Sequence, residues 1–283
     1  MYTRLISTDE LAVNLGNPDW VIVDCRFDLA KPDWGRADYG QGHIPGAVYA
    51  HLNEDLSGPV TEHTGRHPLP DPQKFRTTLS RLGIARDKQV VCYDTNGGAY
   101  AVRLWWMLRL YGHDRVAILD GGWQKWREEQ RPETTGIEHN DYADFVGEPQ
   151  QNWILTVTDV ERLRFDPSYR LIDARAPQRY RGEIEPIDTA AGHIPGALNR
   201  FHGDNLSPDG TFKPAEQLRQ EYAALLDGFD PAKVVVYCGS GVTSIHDLLA
   251  MELAGYPGAK VFIGSWSEWI RDPKRPRSSG KTP

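Results

Sequence analysis

The sequence predicts an α/β fold that occurs twice, each copy a doubly wound parallel sheet covered by helices on both faces. Short apolar runs alternate with segments of helical periodicity along the whole chain, which is typical of strands connected by helices. Several landmarks of the first half also recur in the same order in the second half. With 283 residues, the chain is long enough for two domains, each with its own core.

The recurring landmarks indicate an internal duplication. The hexapeptide Gly-His-Ile-Pro-Gly-Ala stands at 42–47 and again at 192–197. Three further pairs repeat with it: an Asp-x-Arg after an apolar run, an apolar run that ends in tyrosine, and a Gly-x-Trp-x-x-Trp segment. They start at Asp24 and Asp173, at Val90 and Val234, and at Gly121 and Gly264. Landmarks in one order at nearly one separation are hard to obtain by chance.

Each half is predicted to open with a capped helix and to continue with three recognisable strands. Ser7 with Glu10, and Thr158 with Glu161, have the spacing of a capping box. Buried strands are indicated where apolar residues follow one another between turn signals. They are expected near residues 20–24, 90–93 and 116–119, and again near 170–173, 234–237 and 260–263.

Composition divides the chain into two domains of similar length. The stretch near its middle is polar, contains Pro and Gly, and has little periodicity, as expected of a linker. We therefore predict an N-terminal domain over 1–138, a linker over 139–152 and a C-terminal domain over 153–283. Two Pro/Gly-rich loops, 55–72 and 203–214, are long enough to wrap over a partner domain.

Charge and cysteine content exclude several classes of function. The formal net charge is −7, which disfavours a phosphate-binding face for nucleic acid. The cysteines at 25, 92 and 238 form no Cys-x-x-Cys pair, so neither a zinc site nor a disulfide framework is predicted. No signal-like segment or run of membrane-span length is expected from the sequence. We predict a cytoplasmic protein with reduced thiols, without a metal, a cofactor or a membrane partner.

Cys238 is the strongest candidate for a nucleophile. It follows the apolar run 234–237, which predicts a buried strand, and precedes a segment in which apolar residues recur with helical spacing. Backbone N–H groups of such a loop and the positive end of a helix lower the pKa of a thiol. Gly239 and Gly241 leave room for a substrate beside the backbone. An inert buried cysteine, the alternative, does not account for two glycines and two hydroxyls directly after it.

The two halves differ where the chemistry is expected. Alignment of the two strand-ending tyrosines places Asp94 opposite Cys238, so the first half has the loop without the nucleophile. We therefore predict one catalytic half and one degenerate copy, with the site in a cleft between them at the carboxyl ends of strands. Cys25 and Cys92 are predicted to be dispensable, because no glycine loop follows either of them.

These motifs resemble those of tandem-domain rhodanese-type sulfurtransferases along nearly the whole chain. The resemblance lies in the two hexapeptides, in Cys-Gly-Ser-Gly-Val-Thr at 238–243 and in Gly-Ser-Trp-Ser-Glu-Trp at 264–269. Neutral loops of this kind are similar to those of 3-mercaptopyruvate sulfurtransferases, whereas enzymes that prefer thiosulfate carry basic residues after the cysteine. A dianionic donor favours cations beside the nucleophile, while a carboxylate-bearing thiol can be held from further away.

The resemblance implies a covalent mechanism in which the Cys238 thiolate attacks the donor's sulfur and becomes a persulfide. It also implies that the rest of the loop binds the substrate, through Gly239, Gly241, Val242 and Thr243. The outer sulfur then passes to a thiol acceptor such as thioredoxin, or to cyanide.

The resemblance further implies that Ser240 and His43 handle protons together with an acidic residue. Asp33 and Asp38 are both candidates for that acid. A structural role in a turn is the alternative for His43, because His193 occupies the same position in the second hexapeptide.

Arg179 is the residue that the resemblance assigns to the donor's carboxylate, which a guanidinium group can bind through two hydrogen bonds. A solvated surface arginine is the alternative. Mercaptopyruvate enzymes usually carry a second arginine some nine residues further on, whereas this sequence has Asp188 there. Arg181 and Arg175 are candidates to compensate, although Arg175 suits the anchoring of a turn equally well. The preferred donor is therefore open.

Other functions are alternatives to a 3-mercaptopyruvate sulfurtransferase. A protein phosphatase of the same fold needs a Cys-x5-Arg motif, but Ser244 stands at the position of the arginine. Thiosulfate:cyanide sulfurtransfer is the nearest enzymatic rival, and a persulfide carrier without turnover is the non-enzymatic one. We predict a sulfurtransferase that uses 3-mercaptopyruvate, with thiosulfate as the alternative donor.

Overall fold

The computed structural model describes residues 1–282, without the side chain of Gln151. The chain divides into two compact units. The first unit comprises residues 1–58, 69–150 and 207–212. The second comprises residues 59–68, 151–206 and the chain from 213 onwards. Each unit therefore contains one short segment from the other half of the sequence.

The first unit contains a parallel sheet of five strands in the described chain. The strands are β1 (Leu5–Ile6), β2 (Trp20–Asp24), β3 (Ala47–Tyr49), β4 (Gln89–Tyr93) and β5 (Val116–Leu119). They lie side by side in the order β1, β5, β4, β2, β3. The helices are α1 (Thr8–Ala12), α2 (Trp34–Gln41), α3 (Pro72–Arg81), α4 (Ala101–Leu110) and α5 (Gly122–Glu128).

The second unit repeats this arrangement, again with five parallel strands among the described residues. The strands are β6 (Ile154–Leu155), β7 (Arg170–Asp173), β8 (Ala197–Asn199), β9 (Val234–Tyr237) and β10 (Lys260–Phe262), in the order β6, β10, β9, β7, β8. The helices are α6 (Val157–Leu163), α7 (Pro177–Tyr180), α8 (Ala215–Leu226), α9 (Ser244–Leu253) and α10 (Ser265–Trp269). Within residues 1–282, none of the helices has the length and apolarity needed to cross a lipid bilayer.

The predicted fold class is confirmed, because both sheets are parallel and flanked by helices. The inner strands of both sheets, β2, β4, β5, β7, β9 and β10, begin and end within one residue of their predicted bounds. The edge strands β1, β3, β6 and β8 were not predicted. They have only two or three residues each, which is too short for a strand period to be visible in the sequence.

The first predicted helix start is confirmed, and the second is wrong by two residues. The Ser7 hydroxyl accepts a hydrogen bond from the backbone N–H of Glu10, whose carboxylate accepts one from the backbone N–H of Ser7. In the second unit the capping box is formed by Thr156 and Asp159 rather than at Thr158. An aspartate makes the reciprocal hydrogen bond here, so the usual Glu or Gln signature is absent.

Strand β9 positions the cysteine loop. It lies inside the second sheet between β10 and β7, and all four of its residues are buried. The Tyr237 hydroxyl accepts a hydrogen bond from the backbone N–H of Ile194 at 3.1 Å. The carbonyl oxygen of Tyr237 accepts another from the backbone N–H of Ala174 at 2.8 Å. The end of β9 is thus fixed by its neighbours, and Cys238 leaves the sheet at a defined point.

Candidate active site

Cys238 lies directly after β9 and is 1% exposed. Its backbone N–H donates a hydrogen bond to the Ser265 hydroxyl at 3.1 Å, and that hydroxyl lies 4.0 Å from Cys238 Sγ. The backbone N–H groups of Trp266 and Ser267 donate to the carbonyl oxygens of Cys238 and Gly239, both at 3.0 Å. The start of α10 therefore holds the start of the cysteine loop in place.

The pKa of the Cys238 thiol is lower than that of an ordinary cysteine. Burial by itself raises this pKa, but hydrogen bonds from the Thr243 hydroxyl and from the backbone N–H groups of Ser240 and Ser244 outweigh it. Helix α9 begins at Ser244, so its positive end favours the thiolate as well. Val242, between these residues, is buried. The loop therefore increases the fraction of the nucleophilic thiolate at neutral pH.

Close contacts require a glycine at 241, and they place two side chains against the glycine at 239. Gly241 has a φ of +75°, and a Cβ at this position would clash with the carbonyl oxygen of Ile263. A Cβ on Gly239 would lie 2.8 Å from Arg66 Nη2 and 3.7 Å from Arg179 Nη2. The residue next to the nucleophile thus lies against two guanidinium groups.

Ser240 is paired with a histidine that was not predicted as a site residue. Ser240 Oγ lies 2.8 Å from His67 Nδ1, and both residues are 5% exposed. His67 belongs to residues 59–68, the segment of the first half that lies in the second unit. The two residues are 173 positions apart, and a histidine in a Pro/Gly-rich loop carries no pattern that connects it with a distant serine.

His43 and His193 occupy equivalent positions in the two hexapeptides and have the same contacts. Nδ1 of each ring lies 2.8 Å from a carbonyl oxygen, that of Tyr39 or of Tyr180 respectively. Each ring also stacks on the same tyrosine. These are the contacts of a residue that stabilises a turn. The proton-handling role of His43 stays a prediction, and its surroundings give it no support.

The two Asp-x-Arg motifs are buried ion pairs. The guanidinium group of Arg26 lies 2.6 Å from Asp24, and that of Arg175 lies 2.7 Å from Asp173. Arg26 also pairs with Asp38 at a distance of 2.6 Å. Asp38 is one of the two predicted acidic partners of His43. Because Arg175 is 3% exposed and fully engaged with neighbours, it anchors a turn.

Arg179 lies on α7 and is held by two acidic side chains. Its Nη2 lies 2.7 Å from Glu185 Oε1 and 3.2 Å from Asp188 Oδ2. The side chain of Arg179 is 15% exposed and each carboxylate is 4% exposed. Arg179 is therefore not a solvated surface arginine.

A second guanidinium group lies beside the loop, but it comes from another part of the chain. Asp188 pairs through Oδ1 with Nη1 of Arg66, whose backbone N–H donates to the Ser267 hydroxyl at 3.0 Å. Arg181, considered above as a compensating cation, pairs with Glu183 at 2.6 Å instead. The sequence shows the acid at 188 but not its partner, because Arg66 lies 122 positions earlier.

Helix α9 carries a buried carboxyl group one turn from its start. Asp247 Oδ1 accepts a hydrogen bond from the Asn205 amide at 2.6 Å and one from the Tyr222 hydroxyl at 3.3 Å. Burial raises the pKa of Asp247 to about 8, although Asn205 and Arg200 act against this shift. The carboxyl group therefore holds its proton at neutral pH.

We expect Asp247→Asn to become more stabilising as the pH rises. The carboxyl group ionises near pH 4 in the unfolded chain, but only near pH 8 in the folded chain. Between these values the folded state binds more protons, so stability from Asp247 is lost as the pH rises. Asparagine does not titrate and can keep the hydrogen bonds. Urea unfolding from pH 5 to 8 should show the difference between variant and wild type growing by up to about 1.4 kcal/mol per pH unit. A pH-independent difference would contradict this assignment.

Comparison with known proteins identifies the class. The family model described as the rhodanese-like domain matches residues 7–129 and 156–272, so the chain belongs to the rhodanese family. It is 46% identical over 279 residues to the "Probable 3-mercaptopyruvate sulfurtransferase" of Pseudomonas aeruginosa, covering 98% of each chain. It is 32% identical over 296 residues to the thiosulfate sulfurtransferase of Mus musculus, covering 100% of this chain and 97% of that one.

The fold is similar to a solved member of the family. The crystal structure of SseA from Escherichia coli, described with the 3-mercaptopyruvate sulfotransferases, matches 94% of this chain and 100% of its own. The TM-score is 0.81 at 32% identity. The predicted family and the predicted enzyme class, a sulfurtransferase, are both confirmed by these relatives.

Proposed function

We propose that this chain moves a sulfur atom from 3-mercaptopyruvate, through a persulfide on Cys238, to a thiol acceptor or to cyanide. The observation that supports this choice of donor is the hydrogen bond of 2.8 Å between Ser240 and His67. Ser240 is two residues after Cys238, whose thiol has a lowered pKa. The relative from Pseudomonas aeruginosa, named for the same donor, supports the proposal.

3-Mercaptopyruvate needs a proton relay, and thiosulfate does not. Attack by the Cys238 thiolate forms an S–S bond and breaks the donor's C–S bond, whose electron pair remains on the carbon of a pyruvate enolate. The donor's thiol loses its proton, and the enolate carbon gains one to give pyruvate. We assign this transfer to Ser240 and His67, which are hydrogen-bonded to each other and are both able to carry a proton. Thiosulfate releases sulfite without any proton transfer.

The loop and Arg179 complete the reaction cycle. The groups that stabilise the thiolate, the Thr243 hydroxyl and the backbone N–H groups of the loop, also stabilise a charged persulfide. Arg179, beside Gly239, binds the donor's carboxylate through charge-assisted hydrogen bonds. The acceptor then attacks the outer sulfur, the S–S bond breaks, and its electron pair returns to Cys238 as the thiolate.

The proposal is tested by measuring kcat/KM for 3-mercaptopyruvate and for thiosulfate, with cyanide as the acceptor. We expect 3-mercaptopyruvate to be the better donor, and Arg179→Ala to raise its KM by roughly 10- to 100-fold, since a hydrogen bond to a charged group contributes about 1.5–3 kcal/mol. Arg181→Ala is the matched control, because Arg181 pairs with Glu183. Preference for thiosulfate, or equal KM values in the two variants, would contradict the proposal.

Thiosulfate is the second candidate donor. Two guanidinium groups beside Gly239 could hold a dianion, and the mouse relative is named for thiosulfate. A persulfide carrier would form the same covalent intermediate on Cys238 but would release no product in this assay. The cytoplasmic location, the division at 138 and 152, and a site between the two halves stay predictions.

A further inference from the structure

We propose that Arg66 and Asp188 set the donor preference of this enzyme. Arg66 binds the anionic group of the donor beside Arg179, and Asp188 competes with that group for both arginines. This inference rests on the sulfurtransferase function proposed above. It assigns roles to two residues that lie outside the Cys-Gly-Ser-Gly-Val-Thr loop.

Arg66 and Arg179 meet at one point of the cysteine loop. A Cβ on Gly239 would lie 2.8 Å from Arg66 Nη2 and 3.7 Å from Arg179 Nη2. Because Gly239 directly follows Cys238, both guanidinium groups are within reach of an anionic donor whose sulfur contacts that thiolate. Arg66 is placed there by the hydrogen bond from its backbone N–H to the Ser267 hydroxyl, at 3.0 Å.

Asp188 joins the two arginines. Its Oδ1 pairs with Arg66 Nη1, and its Oδ2 lies 3.2 Å from Arg179 Nη2. The carboxylate is 4% exposed, and the backbone N–H of Asp188 is fixed by the Glu185 carboxylate at 3.0 Å. The resident carboxylate therefore uses guanidinium hydrogen bonds that an incoming anion also needs.

The part of Arg66 that lies beside the loop is its Nη2 group. The side chain is 25% exposed, and Nη2 lies closer to Gly239 than either terminal nitrogen of Arg179 does. An N–H group in a partly buried position gains from an acceptor atom. The oxygen atoms of a donor's carboxylate or sulfonate group are acceptors of the required kind.

Apart from the Cys238 thiolate, the formal charges of this cluster cancel. The cations are Arg66, Arg175 and Arg179, and the anions are Asp173, Glu185 and Asp188. The carboxylate of 3-mercaptopyruvate adds one negative charge, while thiosulfate adds two. Charges repel one another strongly in a partly buried site. A cluster that has a resident carboxylate and no excess of positive charge therefore disfavours the dianion more than the monoanion.

Asp188→Asn tests the competition. The variant removes one negative charge from the cluster and leaves one acceptor oxygen for two arginines, so at least one guanidinium group loses its partner. We expect kcat/KM for thiosulfate, relative to that for 3-mercaptopyruvate, to rise by about tenfold or more. Asp188→Glu retains the charge and is the matched control, for which we expect a ratio close to that of the wild type.

Arg66→Gln tests the binding role and does not depend on whether the Asp188 variants fold. We expect the KM of both donors to rise by about tenfold, with a smaller change in kcat, because a charged hydrogen-bond donor to the bound anion is lost. Inhibition by sulfate, an inert dianion, should strengthen in Asp188→Asn and weaken in Arg66→Gln.

Thermal melting first establishes that each variant is folded. An unchanged donor ratio in folded Asp188→Asn, or unchanged KM values in Arg66→Gln, would overturn the inference. A wild-type enzyme that turns over neither donor would instead overturn the proposed function. The two failures are therefore distinguishable in one set of assays.

Discussion

Replacement of Cys238 by serine is expected to reduce sulfur transfer by a factor of about 10⁴ or more and to abolish persulfide formation. The hydroxyl group of serine stays protonated at neutral pH, whereas the hydrogen bonds around Cys238 stabilise a thiolate. Transfer to cyanide measures the loss of activity. Mass spectrometry after treatment with the donor should show one added sulfur atom on the wild type and none on the variant.

The other two cysteines provide matched controls. Cys25 and Cys92 are both buried, and burial raises the pKa of Cys25 well above the usual value, which makes it a poor nucleophile. We expect Cys25→Ala and Cys92→Ala to transfer sulfur within about twofold of the wild-type rate, provided that they fold. Normal turnover by Cys238→Ser, or loss of turnover in a folded control, would refute the assignment of the nucleophile.

His67→Asn is expected to slow the reaction with 3-mercaptopyruvate by roughly 10²- to 10⁴-fold, the usual contribution of a proton-transfer group. Turnover of thiosulfate should stay close to that of the wild type, because sulfite leaves without a proton. Values of kcat for both donors measure the difference. Ser240→Ala is expected to show the same selectivity, since Ser240 lies 2.8 Å from His67.

His63→Asn is the control for this experiment. His63 lies in the same segment as His67, but its side chain is 85% exposed. We therefore expect His63→Asn to leave kcat for both donors unchanged. An equal loss with both donors in His67→Asn would show that His67 supports the loop rather than the transfer of a proton.

The fold was predictable where the sequence signal is local. Strand β9 is a run of four buried residues, and its bounds, Val234 to Tyr237, follow directly from the apolar run. The same holds for β2, whose residues 20–24 are mostly buried. The edge strands are different, because pairing with a neighbour defines them rather than their own composition.

Part of the candidate site is contiguous in the sequence. The roles of Ser240 and the other loop residues were implied by the family resemblance, and Cys238 could be proposed as a nucleophile from the spacing around it. His67 and Arg66 could not, since their roles depend on the path of a long loop rather than on any pattern around them. His43 belongs to a hexapeptide that occurs in both halves. His43 and His193 make the same contact with a tyrosine carbonyl oxygen, which indicates that the hexapeptide forms a turn in each half.

Residues 59–68 come from the first half of the sequence but lie in the second unit, so the second half of the sequence does not contain the whole proposed site. A polypeptide that begins after residue 150 would retain the thiol but would lack His67 and Arg66. The later copy alone therefore lacks the proton-transfer partner and the anion-binding arginine that we propose for the site. Proteolytic cuts on both sides of residues 59–68 would release Arg66 and His67 from the chain while leaving every residue of the cysteine loop intact.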